Sequence, residues 1–179
     1  MRIKQRKRVF VGCEGDSERS YARWLQELSD VASARFQLDT FIAGGGDPLA
    51  IIEDCIKRYK KREREQGRFW RKVIILDSDR LGQNAQRDCQ IGSRIGPANI
   101  TLLYQEYEHE ALLLRHFPRH QTRRPPAGQG LGALQRVWPE YRKPADALTL
   151  GKTLSHGHLC RMMRVEPSFR DFCEGIGLQ

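Results

Sequence analysis

Lys72-Val-Ile-Ile-Leu-Asp-Ser-Asp79 is the stretch on which the fold turns. Its run of consecutive apolar residues has no polar face, the pattern of a central strand covered on both sides in a parallel sheet. The run leads straight into Asp77-Ser78-Asp79, so two carboxylates fall at a strand's carboxyl end. Upstream, Arg8-Val-Phe-Val-Gly12 is another short run of β-formers. It breaks at Cys13-Glu14-Gly15-Asp16, after which Tyr21, Trp24, Leu25 and Leu28 recur at helical spacing. Phe36 to Ala43 alternates apolar and polar residues as a strand does, and Gly44-Gly45-Gly46 interrupts it. Asp47 is placed to cap a helix that has Pro48 at its first position. Leu49, Ile52, Cys55, Ile56 and Tyr59 line one face of that helix, and Gly67 suits its end. Downstream, residues 82–98 are polar and Gly-rich with a short helix, Asn99 to Tyr104 form a strand, and Glu108 to Phe117 form a helix. Strands alternating with helices predict an α/β, Rossmann-like fold: a mainly parallel central sheet flanked by helices, with ligands gathering beyond the strand ends. From Pro118 onward the chain is rich in Arg, Pro and Gly. A loop over 118–130 and short helices near 131–138, 152–163 and 167–174 make up a short helical C-terminal extension.

With 179 residues, 39% of them hydrophobic, the chain can bury one proper core, whereas two domains would each be marginal. One domain is expected over 1–179, its centre at about 7–117 and its extension at about 118–179. No apolar run approaches the roughly 20 residues needed to span a bilayer, and the basic N-terminus leads directly into a strand. The expectation is a cytoplasmic protein with no membrane partner. Five cysteines, an odd number with no C-x-x-C pair, suggest reduced thiols and neither a disulfide framework nor a zinc ribbon. The net charge of +9 attracts polyanions, which makes nucleic acid the leading partner class.

The strongest constellation is Glu14 after the first strand with Asp77 and Asp79 after the central one. In a parallel sheet both turns open on the same rim, so these acids are expected to converge there. Carboxylate oxygens are the hard ligands that Mg²⁺, or Mn²⁺ in its place, prefers. The plainer alternative is that each acid only punctuates a turn or caps a helix. Glu18, at the start of the following helix, is either a further metal ligand or a Glu favoured near a helix N-terminus.

Cys13-Glu14-Gly15-Asp16 and Leu76-Asp77-Ser78-Asp79 resemble the two signature motifs of the Toprim fold, found in primases, topoisomerases and several nucleases. Within that fold the chain is similar to the RloB-like branch, related to the overcoming-lysogenization-defect nucleases. The similarity runs through Val11-Gly-Cys-Glu-Gly-Asp-Ser-Glu18, Gly46-Asp-Pro-Leu-Ala-Ile-Ile52 and Glu108-His-Glu-Ala-Leu-Leu-Leu-Arg-His-Phe117, and covers about residues 7–117. The resemblance implies general acid/base work for Glu14, metal binding by Asp77 and Asp79, and a further carboxylate at Glu110, with Glu108 the second choice in that motif. It also implies an antiviral role beside a separately encoded ATPase. The chain departs from the pattern in having Glu106-Tyr107 where an asparagine-proline pair is usual, and in a first motif one residue shorter.

Arg115, Arg119, Arg123 and Arg124 follow the acidic motif toward the presumed active rim and are candidates for contacting a nucleic-acid backbone; Lys152 is a further one. The run Lys57, Arg58, Lys60, Lys61, Arg62, Arg64 is interrupted by Glu63 and Glu65 and serves either phosphate binding or a solvated helix face. His156-Gly-His158-Leu-Cys160 lacks a second ligand pair for zinc, and Gly151-Lys152-Thr153 has Asp146 where a P-loop needs glycine. The expected activity is metal-dependent hydrolysis of phosphodiester bonds in RNA or DNA. Its rivals are a non-catalytic nucleic-acid-binding or scaffold module, and a phosphatase of the haloacid dehalogenase type.

Overall fold

The computed structural model describes residues 5–179, and the first residues of the basic N-terminal run, 1–4, lie outside them. Strands β1 (Lys7–Cys13), β2 (Phe36–Ile42), β3 (Arg71–Asp77) and β4 (Thr101–Gln105) pair in the order β2-β1-β3-β4, all parallel. Alternation along β1 and β3 sends Val9, Val11, Cys13, Val73 and Ile75 to one face, and Phe10, Ile74 and Leu76 to the other. Both faces are covered. Helices α2 (Pro48–Gln66) and α3 (Ala85–Ala98) close the second face through Ile51, Ile52, Cys55, Tyr59 and Ile91. Helices α1 (Asp16–Val31) and α4 (His109–Leu114) lie against the first, together with α5 (Gly130–Gln135), α6 (Ala147–Thr153), α7 (His156–Met163) and α8 (Pro167–Gly175). The all-apolar β3 run is the consequence: a strand sandwiched between two helical layers has no side for a polar residue.

Local chemistry sets the element ends. Asp47 Oδ1 accepts from Leu49 N and Ala50 N at 2.9 and 3.3 Å, capping α2 as the Asp-Pro pair predicts. Gly12 sits where β1 passes α2, and a Cβ there would stand 2.5 Å from Cys55 Sγ and 3.1 Å from Ile74. Gly12→Ala is therefore expected to destabilise the fold by about 1–3 kcal/mol through overpacking, read as a lower urea midpoint with unchanged m.

The structure departs from the sequence reading in three places. The polar stretch expected to hold a short helix carries the 14-residue α3, whose N-cap Asn84 accepts from Arg87 N at 3.0 Å. Its packing through Ile91 and Ile95 outweighs the low intrinsic propensity of Gly92 and Gly96. The helix expected over 152–163 is two helices: Asp146 caps α6, accepting from Thr149 N at 2.7 Å, and Ser155 opens α7. Finally, the C-terminal helices are part of the core. Trp138, Tyr141, Leu159, Met162, Phe169 and Phe172 are buried in the same cluster as β1 and β3, and Ser29 Oγ donates to Ile176 O at 3.2 Å.

Candidate active site

In the order β2-β1-β3-β4, chain progression reverses between β1 and β3, and the crevice beyond their carboxyl ends is where such sheets bind ligands. Register brings the acids to that point. Cys13 pairs with Ile75, so Glu14 emerges beside Leu76, and its Oε2 accepts from Asp77 N at 3.2 Å. Asp77 lies in register with Gln105 of β4, which places the two side chains together on the α1/α4 face. With its amide oriented so that both ends meet complementary partners, Gln105 donates from nitrogen to Asp77 Oδ1 at 2.8 Å and to Glu18 Oε1 at 3.3 Å, while its oxygen accepts from His109 Nδ1 at 2.7 Å. A cleft of about 400 Å³ opens above, lined by Glu14, Asp16, Glu18, Gly45, Asp77 and Lys143.

The charge balance is strongly acidic. Burial, and then the charges of Glu18 and Glu14, push the Asp77 carboxyl up to about 9. Burial likewise raises Glu14. Burial lowers His109, so its imidazole is neutral at pH 7 and its 3.7 Å approach to Glu18 is not an ion pair. Lys143 supplies a cation: its Nζ donates to Glu110 Oε2 at 3.0 Å, and although burial opposes its charge, that bond and the charges of Glu110, Asp77 and Glu18 together raise its pKa. Tyr141 donates to Glu110 Oε1 at 3.1 Å.

These contacts reassign several residues named from the sequence. Glu110 is fully buried and satisfied by Tyr141 and Lys143, so it positions Lys143 rather than facing the cleft. Glu108 accepts from Gly130 N at 2.6 Å and anchors the start of α5, turned away from the acids. Glu18 closes its own helix end, its Oε2 accepting from Gly15 N at 2.9 Å, and its other oxygen meets Gln105, so both are engaged by protein donors. Asp79 is an exposed turn residue whose charge acts on Glu14. Among the described residues, no three carboxylate, histidine or cysteine groups stand in metal-holding geometry.

The arginines divide. Arg115 is fully buried, its Nε 2.6 Å from Glu166 Oε1, and is no surface contact. Arg124 bridges Glu106 and Glu166, reaching the latter at 2.8 Å. Arg119 and Arg123 remain exposed. Lys152 is exposed at the end of α6, where the adjoining Gly151 faces Trp24 and Glu27, more than a turn along α1 from its start at the rim. Lys143, Tyr141, Gln105 and His109 escaped the sequence reading. Only His109, inside the Glu108-His109-Glu110 motif, carried a local signal.

The residues present suit a hard divalent cation. Glu14 and Asp77 are oxygen donors lining one cleft, where Lys143 is the one lysine or arginine in the lining among the described residues, and burial together with the charges of Glu18 and Glu14 disfavours an unpaired Asp77 carboxylate. No helix among the described residues is long and apolar enough to cross a membrane. Comparisons of the chain with protein-family models, curated proteins and solved structures give no match.

Proposed function

We propose that this chain is a Mg²⁺-dependent nuclease that hydrolyses phosphodiester bonds in nucleic acid, with Glu14 and Asp77 at its centre. The observation that carries the reading is the convergence of Glu14 and Asp77 at the sheet's switch point, where Glu14 Oε2 accepts from the backbone N of Asp77 at 3.2 Å and both residues line one cleft. Asp77 and Glu14 would hold the ion, with Asp79 next to them. When bound, Mg²⁺ supplies Lewis-acid stabilisation of phosphate charge and a more acidic water. Gln105, with its amide turned to match its neighbours, holds the Asp77 side chain by donating to Oδ1 at the wall of the cleft. Glu14, raised by burial, is suited to take a proton from the attacking water. Lys143, kept charged by Glu110, stands where it can pair with a non-bridging phosphate oxygen.

The similarity of the two acidic motifs to Toprim, RloB-like proteins supports the same chemistry and extends the proposal to an antiviral effector working with a separately encoded ATPase. In this chain Gly151-Lys152-Thr153 ends a helix capped by Asp146, with no strand before it. The test is incubation of the pure protein with labelled tRNA, single-stranded DNA and duplex DNA in Mg²⁺, Mn²⁺ or EDTA. Cleavage is expected with either metal and none in EDTA. Binding without cleavage would favour the scaffold reading, and metal-dependent release of phosphate from small phosphoesters would favour the phosphatase.

A further inference from the structure

A cleft rich in carboxylates repels a polyanion, so holding nucleic acid calls for cations beyond the acids themselves. Of the four arginines that follow the acidic motif, Arg115 is buried and Arg124 is paired with Glu106 and Glu166, which leaves Arg119 and Arg123 as the exposed pair. The opposite end of the sheet is different. There α2 ends and β1 and β3 begin, and Lys7, Lys60, Arg64, Arg68, Arg71 and Lys72 have no carboxylate within ion-pair distance among the described residues. The nearby acids are engaged: Glu63 accepts from Phe69 N at 3.1 Å, Asp39 pairs with Arg8 and Arg62, and Glu65 lies 3.9 Å from Lys61.

Apart from Lys7, the cations fall in two hollows at this end of the sheet. Lys60, Arg64 and Arg68 line one hollow, while Lys72 lies over Tyr59 and joins Arg71 and Trp70 along the next. Trp70 is 48% exposed, its ring against Phe36 and beneath Lys7 Nζ, 4.9 Å from the centroid. An exposed indole set among unpaired cations is the combination that tracks a backbone while stacking a base.

We propose that this amino-end rim of the sheet docks nucleic acid, with Lys60, Arg64, Arg68 and Lys72 on backbone phosphates and Trp70 stacked on an unpaired base. From Arg71 to Asp77 along β3 is about 20 Å, so the docked strand lies well away from the carboxylates. That a substrate spans this distance from dock to cut rests on the nuclease proposal, whereas docking itself does not. It also gives the basic run of α2 a role: Lys60 and Arg64, one turn apart, face the same hollow as Arg68.

The test is fluorescence anisotropy of labelled single-stranded and duplex DNA of about 30 nucleotides, in EDTA, against increasing salt. The Lys60→Ala/Arg64→Ala/Arg68→Ala protein should bind more than about tenfold more weakly and lose about two from the log–log salt slope for the single strand. Alanine favours the helix, and an unchanged melting temperature verifies the fold. Trp70→Ala should weaken single-strand binding about 5- to 100-fold and affect duplex much less. Full affinity and slope in the triple variant would overturn the proposal, as would a wild-type protein that binds neither DNA, or that instead captures an acidic protein through this face. Binding that depends on the rim without any cleavage would sink the nuclease reading alone. Cleavage with binding indifferent to the rim would sink the dock alone.

Discussion

Asp77→Asn is expected to abolish metal-dependent cleavage, by about a thousandfold or more, while making the metal-free protein more stable at pH 8. Loss of activity follows because the amide keeps the shape but not the charge that holds the cation. The gain in stability follows from the raised pKa. Folding lifts this carboxyl from its ordinary 3.8 to about 9. Across that window the folded protein retains a proton that the unfolded chain has released, so stability falls as pH rises from about 4 to 9. Asparagine carries no such dependence. Melting temperatures in EDTA should therefore coincide near pH 4 and separate in favour of the variant by pH 8. Adding Mg²⁺ should raise the wild-type value and leave the variant unmoved. A variant that still cleaves at the wild-type rate, or one less stable than wild type at pH 8, would remove Asp77 from the centre of the site.

Arg115→Ala is expected to cost about 3–5 kcal/mol of folding stability, the largest loss foreseen for any single substitution here. The guanidinium is fully buried and its Nε lies 2.6 Å from Glu166 Oε1, a charge contact that lacks hydrogen-bond alignment. Glu166 precedes α8, and its other partner, Arg124, also holds Glu106 at the end of β4. Removing Arg115 leaves a cavity in the core and a half-buried carboxylate dependent on Arg124 alone. Urea unfolding measures the loss. Arg115→Met, which fills the volume without the charge, should recover part of it. At temperatures where the variant remains folded, its affinity for nucleic acid should equal that of wild type. A stable Arg115→Ala protein with weakened binding would return this residue to the surface role that its neighbours in sequence suggested.

The sheet and the two acids at its centre were legible in the sequence, and most of their surroundings were not. An unbroken apolar run needs cover on both faces, and that cover is the two helical layers found against β3. Parallel strands bring their carboxyl ends to one rim, which is why Glu14 and Asp77, remote in sequence, meet. Asp79 follows the same logic only as far as the rim, since a turn residue beyond the last ladder pair has no register to fix its side chain.

The alternation of elements, the direction of the sheet and the rim on which the acids lie follow from periodicity, caps and chain connectivity, all of them local to the sequence. The sequence could not determine which charges remain free. Arg115 and Arg124 look like their exposed neighbours Arg119 and Arg123 until the fold brings up Glu166. Glu110 looks catalytic until Tyr141 and Lys143, contributed by what reads as a peripheral extension, satisfy both its oxygens. Lys60 and Arg64 of α2 look like part of a solvated face until packing sets them in one hollow with Arg68. Whether a charge is spent or available depends on partners far along the chain, and only tertiary packing brings those partners within reach.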